Sequence, residues 1–146
     1  MASRLKKVLP LIISESQATF VKGRLISDNI LVAHELLHAL SSNNKCSEEY
    51  IAIKTDVSKA YDRVELAFLR NTMETLGFSA HWISLVMECV RFVRYQVLIN
   101  GFPYGDIAPT RGLRQGDPLS PYLFVLCTEM LIKMLQTAER KGQITG

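Results

Sequence analysis

The sequence predicts an α+β protein with a small, incomplete antiparallel sheet. Apolar residues recur at helical spacing over 66–76, 79–92 and 119–141. Two short alternating runs meet at Asn100-Gly101, a dipeptide that suits a tight hairpin because both residues tolerate positive φ. The helices lie apart from that hairpin instead of alternating strictly with strands, which separates α+β from α/β. About three strands are evident in 146 residues, few for a domain of this length.

In chain order, residues 3–13 read as a short basic helix, ended or kinked at Pro10. Ser14 to Arg24 is a loop that turns at Gly23. Ser27 or Asp28 caps a helix to about Leu40, with Ile30, Leu31, His34, Leu37 and His38 near one face. Ser41-Ser42-Asn43-Asn44 is a polar connector. Tyr50, Ile51 and Ile53 then form a strand that ends on Asp56. Leu66, Leu69, Met73 and Leu76 make a helical stripe that stops at Gly77. The helix from Ser79 to Phe92 turns Trp82, Leu85, Val86 and Cys89 inward. Tyr95, Val97 and Ile99 alternate into the hairpin, and Phe102 to Ala108 returns. A glycine-rich basic loop from Thr110 to Asp117 leads into a long amphipathic helix to about Lys141. Pro118 and Pro121 are tolerated at its start, where the N–H groups have no intrahelical partner.

Composition bounds the function. With 48% apolar and 21% charged residues the chain is built to fold around a core. The net charge of +3 permits a nucleic-acid partner without requiring one. The charge is clustered: Arg4, Lys6, Lys7, Lys22 and Arg24 face only Glu15 in the first 24 residues. Cys46, Cys89 and Cys127 lack any C-x-x-C spacing and read as reduced thiols of an intracellular protein, the last two in the core. Leu119 to Leu135 carries Glu129 and Lys133, so no membrane partner is expected.

Three stretches carry chemistry-bearing residues. The strand ending at Asp56 suits Mg²⁺, which takes one or two carboxylates plus phosphate oxygens. Tyr61, five residues on, could lie flat beneath whatever the ion holds. Equally, Asp56 or Ser58 could cap the turn that follows. His34-Glu35-Leu36-Leu37-His38 spells the H-E-x-x-H of zinc peptidases, whose histidines share one helix face. Where the extended zinc motif continues with glycine and histidine the chain has Ser41 and Asn44, and no spacing selects His81 as a third ligand. No zinc is expected. The third stretch, Arg111-Gly112-Leu113-Arg114-Gln115-Gly116-Asp117, puts two arginines and two glycines before a helix N-terminus, an anion-friendly arrangement that is not a Walker A loop.

Taken together, Thr55-Asp56-Val57-Ser58-Lys59-Ala60-Tyr61-Asp62-Arg63-Val64 and the run from Arg111 to Pro121 resemble motifs A and B of reverse transcriptases of non-LTR (LINE-type) retrotransposons, especially those of plants. Gln17 to Arg24 with Ser27-Asp28-Asn29 is similar to the upstream fingers motif, and the helix bearing His34 and Glu35 falls in the same segment. Phe78 with Trp82, and Tyr95 to Gly101, resemble the segment connecting A to B. The resemblance implies a partial right-hand polymerase, with residues 1–49 fingers-like and 50–146 palm-like. It implies Mg²⁺ on Asp56 and a sugar-selecting steric gate at Tyr61. Gln115 and Gly116 would contact the incoming nucleotide, and Arg24, Arg111 and Arg114 would contact template or phosphate. RNA template, DNA primer and deoxynucleoside triphosphates are the implied partners, and the nucleus the implied site of action. The family's aromatic-Ala-Asp-Asp hairpin is not in this sequence. The expectation is therefore a domain fragment that is inactive alone, or a nucleic-acid-binding remnant without chemistry.

Overall fold

The computed structural model describes residues 1–42 and 50–145. Its order is α1 (Ala2–Ile12), α2 (Ile26–Ser42), a 3₁₀ turn at Tyr61–Arg63, α3 (Leu66–Thr75) and α4 (Ala80–Arg91). These are followed by β1 (Tyr95–Ile99), β2 (Phe102–Ile107) and α5 (Ser120–Arg140). Among the described residues the only sheet is the antiparallel β1–β2 pair, so the α+β expectation holds.

The core lies where α3 packs on α4 and α5, with α1 against α5. Leu5 and Leu9 come from one face of α1, Leu69 and Met73 from α3, and Val86 and Met87 from α4. Leu123 and Leu126 come from α5, and all eight are almost wholly buried. Burial of such side chains is the main favourable term available to the fold. α3 ends as its glycine predicts. Gly77 has φ +82°, its N–H donates to the Glu74 carbonyl, and the Phe78 N–H donates to the Met73 carbonyl, both at 3.0 Å. At the start of α4 the Ser79 hydroxyl accepts from the Trp82 N–H at 3.3 Å.

Three local expectations are corrected. Pro10 neither ends nor interrupts α1, which runs to Ile12; so near the C-terminus the ring removes only one intrahelical hydrogen bond. Ser27 and Asp28 sit inside the first turn of α2 instead of capping it, because that helix begins at Ile26. In α4 the buried stripe is Ile83, Val86 and Met87, one helix step from the expected one, which leaves Leu85 and Cys89 exposed. Asn43, Asn44 and Cys46 lie outside the described residues.

The largest correction concerns Tyr50 to Asp56. No strand forms there; residues 50–57 are irregular and exposed, with Ile51 and Ile53 more than four-fifths open. A strand needs a neighbour for its backbone groups, and among the described residues the hairpin pairs only with itself. Its turn is formed as expected: Asn100 and Gly101 take φ +52° and +83°, the mirror-image geometry that matches strand twist. Yet every residue of β1 and β2 is exposed, and no residue of α2 is buried. The accessible surface is 11041 Å², against roughly 7,500 Å² for a self-contained globule of this mass. The α2 helix, the hairpin and the 50–57 segment each leave apolar side chains open to solvent. No helix among the described residues is long and apolar enough to cross a membrane.

Candidate functional site

The site is assembled by a backbone clasp between residues 61–65 and 111–113. After Lys59, whose φ of +53° is unusual for a residue with a side chain, the chain tightens into the Tyr61–Arg63 turn. That turn presents the Tyr61 and Val64 carbonyls to the basic loop, where they accept from the N–H groups of Leu113 (2.9 Å) and Gly112 (2.8 Å). A single antiparallel bridge joins Glu65 to Arg111 beside them. Gly112 is needed here. Its φ is +94°, a left-handed conformation that side chains disfavour, while a Cβ would only touch the Asp62 backbone at 3.4 Å. Val64 and Leu113 bury their side chains under the clasp.

From the clasp the loop runs to α5. The Asp117 carboxylate accepts from the Leu119 N–H at 2.7 Å, a local bond in the turn that leads into the helix. Phe124, one turn into α5, stacks on Tyr61 with ring centroids 4.9 Å apart and planes 12° from parallel. Tyr61 is thereby held at the mouth of a pocket of about 500 Å³ that it shares with Gln115, Gly116, Asp117 and Ser120. Gly116 has φ +85° and open space where a side chain would stand.

Three of the residues singled out in the sequence therefore share one pocket: Tyr61, Gln115 and Gly116. Arg111 and Arg114 line a neighbouring cavity instead. Asp56 lines neither, and stands exposed on the irregular 50–57 segment. Arg24 is occupied elsewhere. Its Nη1 donates to the Ser14 and Gln17 carbonyls, the latter at 2.6 Å, and its Nη2 to the Ile13 carbonyl at 3.2 Å. That side chain closes the 13–24 loop on itself. His34 and His38 are exposed on α2, and no group of three or more His, Cys, Asp or Glu side chains among the described residues could enclose a metal.

Sequence reasoning missed a polar lock between the N-terminal loop and α5. Glu129, 1% exposed, accepts from the Ser14 N–H at 3.1 Å and its hydroxyl at 2.9 Å. One residue away, Gln17 donates to the Thr128 hydroxyl at 2.5 Å. The available signal was one carboxylate on the apolar face of an otherwise buried helix segment, since buried charges are kept only where they are hydrogen-bonded. Next to it Cys127 is also buried, and desolvation pushes its thiol pKa up to about 12.

The clasp thus joins the two stretches that carry the resemblance to reverse transcriptases, Thr55 to Val64 and Arg111 to Pro121. Comparison with known proteins agrees: residues 1–145 match the family described as reverse transcriptase (RNA-dependent DNA polymerase). The chain belongs to the reverse transcriptase family.

Among its relatives, the uncharacterised 149 kDa protein of transposon TX1 from Xenopus laevis is 32% identical over 133 residues, 91% of this chain and 10% of the relative. A retrovirus-related Pol polyprotein from a type-2 retrotransposable element of Drosophila melanogaster is 34% identical over 86 residues, 59% of this chain and 8% of its own length. An uncharacterised mitochondrial protein of Arabidopsis thaliana is 57% identical over 49 residues, 34% of this chain and 40% of the relative. These names bear out the kinship with non-LTR elements drawn from the two motifs. The chain spans at most 40% of the length of these three relatives. No solved structure matched.

Proposed function

We propose that the chain is the fingers-like (1–49) and palm-like (50–146) part of an RNA-directed DNA polymerase, with the Tyr61–Gln115 pocket receiving the incoming deoxynucleoside triphosphate. The observation that carries this reading is the shared pocket, because residues 54 positions apart in sequence meet there through the Gly112–Leu113 clasp. Tyr61, stiffened by Phe124, would stand against the 2′ face of the sugar and disfavour a hydroxyl. Gln115 can donate and accept at the sugar, base or phosphate. Gly116 leaves room for close approach. Arg111 and Arg114 would face phosphates of the template, whereas the three carbonyls on Arg24 favour a loop-closing role over a template contact.

Asp56 would hold Mg²⁺. One carboxylate fits one such ion, which when bound screens phosphate charge and polarises the attacked phosphorus. Among the described residues the donor set does not fit a pair of ions. Residues 1–146 on their own are accordingly proposed not to extend a primer. RNA template and DNA primer are the proposed partners, acting in the nucleus. Template-primed incorporation of labelled deoxynucleotide tests this: no product above an Asp56→Ala control is expected. Product that disappears in Asp56→Ala would overturn the proposed inactivity.

A further inference from the structure

A third cavity, about 330 Å³, lies where the first two turns of α1 meet the start of α4. Arg4, Leu5 and Val8 line it from α1, and Phe78, Ser79 and Trp82 from the other side. It shares no lining residue with the Tyr61–Gln115 pocket or with the cavity of Arg111 and Arg114. Leu5 is buried, Val8 is 39% exposed, and Phe78 and Trp82 rest against the core.

The polar groups of this corner call for acceptors. The Trp82 indole N–H is buried and has no hydrogen-bond partner among the described residues, a costly state for a donor. The Ser79 hydroxyl accepts from the Trp82 backbone N–H at 3.3 Å, and its own proton is left to donate. Arg4 is exposed, and its side chain makes no ion pair or hydrogen bond among the described residues, where the only salt bridge is Arg94–Asp106. Lys7, three residues on, is its neighbour along the helix, and no acidic residue precedes Glu15.

These features select the occupant. Leu5, Val8 and Phe78 suit one apolar side chain, since the volume stands at the low end of the roughly 300–1,000 Å³ of ligand pockets. Unpaired donors beside them suit backbone carbonyls, which an extended peptide leaves free and a helix uses internally. The uncompensated cations of α1 suit carboxylates. A phosphodiester fits poorly, because aliphatic walls desolvate a phosphate without pairing its oxygens. We infer that this corner docks an extended acidic segment of a partner protein. One apolar side chain enters the cleft, a backbone carbonyl accepts from the Trp82 indole N–H, and a carboxylate pairs with Arg4. The N–H is covered in the free chain, so the ring tilts slightly to meet the carbonyl. The docking does not depend on the polymerase reading and adds a protein partner to it.

Trp82 is the one tryptophan of the chain, so its emission reports on this corner alone. The test uses the 146-residue chain and a fluorescein-capped peptide amide with one leucine between two pairs of glutamates. Comparison peptides carry glycine for the leucine or lysines for the glutamates, and a single-stranded oligouridylate is the nucleic-acid probe. Affinity is read by anisotropy at low salt, and location by Trp82 emission with unlabelled peptide. The acidic peptide is expected to bind and to shift the emission. The glycine peptide binds about tenfold more weakly, as loss of a buried leucine requires, and the lysine peptide does not bind. Arg4→Glu weakens binding about tenfold. Trp82→Phe, which keeps an aromatic ring and removes the N–H, weakens it about fivefold. Lys22→Glu makes the same charge change at an exposed position outside the cavity and weakens binding at most about twofold.

Trp82 packs against the core, so if Trp82→Phe fails to fold, Arg4→Glu at its exposed position decides. Binding that Arg4→Glu weakens no more than Lys22→Glu, with Trp82 emission unmoved, overturns the inference. Equal binding of the glycine peptide overturns the cleft assignment. Oligouridylate that shifts the emission at lower concentration than the peptide makes the corner a nucleic-acid site and overturns the protein partner. Absence of acidic-peptide binding up to about 1 mM overturns the inference as well. None of these outcomes touches the Tyr61–Gln115 pocket.

Discussion

Tyr61 and Phe124 lie face to face, 4.9 Å between ring centroids, and this stack ties the aspartate-and-tyrosine turn to the helix that carries the basic loop. Both side chains are half-buried, so the contact is partly hydrophobic and partly the ring–ring term. Phe124→Ala should cost about 2 kcal/mol, below the range for a fully buried phenylalanine because the site is half open. Urea unfolding measures the loss, and a Tyr61 ring signal that keeps its chemical shift in the variant would contradict the stack.

Glu129 is the second tie. Replacing it with alanine removes the acceptor of the half-buried Ser14 N–H and hydroxyl, at a cost of about 1–2 kcal/mol. The loss should be local as well as global: hydrogen exchange of residues 14–24 should rise more than that of α3. Uniform exchange changes across the chain would mean that the lock does not hold the N-terminal loop.

Gly112 and Gly116 make an internal comparison. Both have positive φ, but only Gly112 donates its N–H to the clasp, to the Val64 carbonyl at 2.8 Å. Gly116→Ala should cost about 1 kcal/mol from the left-handed conformation alone. Gly112→Ala should cost more, about 2 kcal/mol, because relief of the strain pulls its N–H away from the Val64 carbonyl. Equal thermal shifts in the two variants would argue against the clasp.

The cysteines separate by chemistry. With its pKa raised to about 12, the Cys127 thiol stays neutral and buried, so it should resist alkylation at pH 8 while exposed Cys89 reacts. Because the folded value lies above the unfolded 9.0, ionisation favours the unfolded chain. The contribution of Cys127 to stability is thus intact below about pH 9 and lost as pH rises toward 12. A Cys127→Ala variant should show a flatter alkaline stability profile than the parent.

Much of this was legible in the sequence, and what was not has physical causes. Gly77, Ser79 and Asn100-Gly101 announce their helix stop, cap and hairpin because a local backbone requirement admits few residue types. The face of α4 was misjudged because Ile83 and Leu85 are equally apolar; only the packing of α3 and α5 decides which turns inward. Tyr50 to Asp56 has strand composition, but composition does not supply a pairing partner, and none stands beside it among the described residues. Within the site, Tyr61, Gln115 and Gly116 were legible as two motifs. Phe124 was not, since a phenylalanine on the core-facing side of a helix looks the same whether it fills the core or supports another ring. Glu129 was visible only as a charge on a helix, its partners being more than a hundred residues away.

The central claim is that the Tyr61–Gln115 pocket recognises a deoxynucleotide, and it can be tested without turnover. Saturation-transfer NMR on the 146-residue chain with Mg²⁺ would compare a deoxynucleoside triphosphate with its ribose counterpart, in the parent, in Tyr61→Ala and in Gln115→Ala. The account predicts a preference for the deoxy form in the parent, equal signals for both sugars in Tyr61→Ala, and weakened binding of both in Gln115→Ala. Equal response to the two sugars in the parent, or a deoxy preference unchanged by Tyr61→Ala, would contradict it.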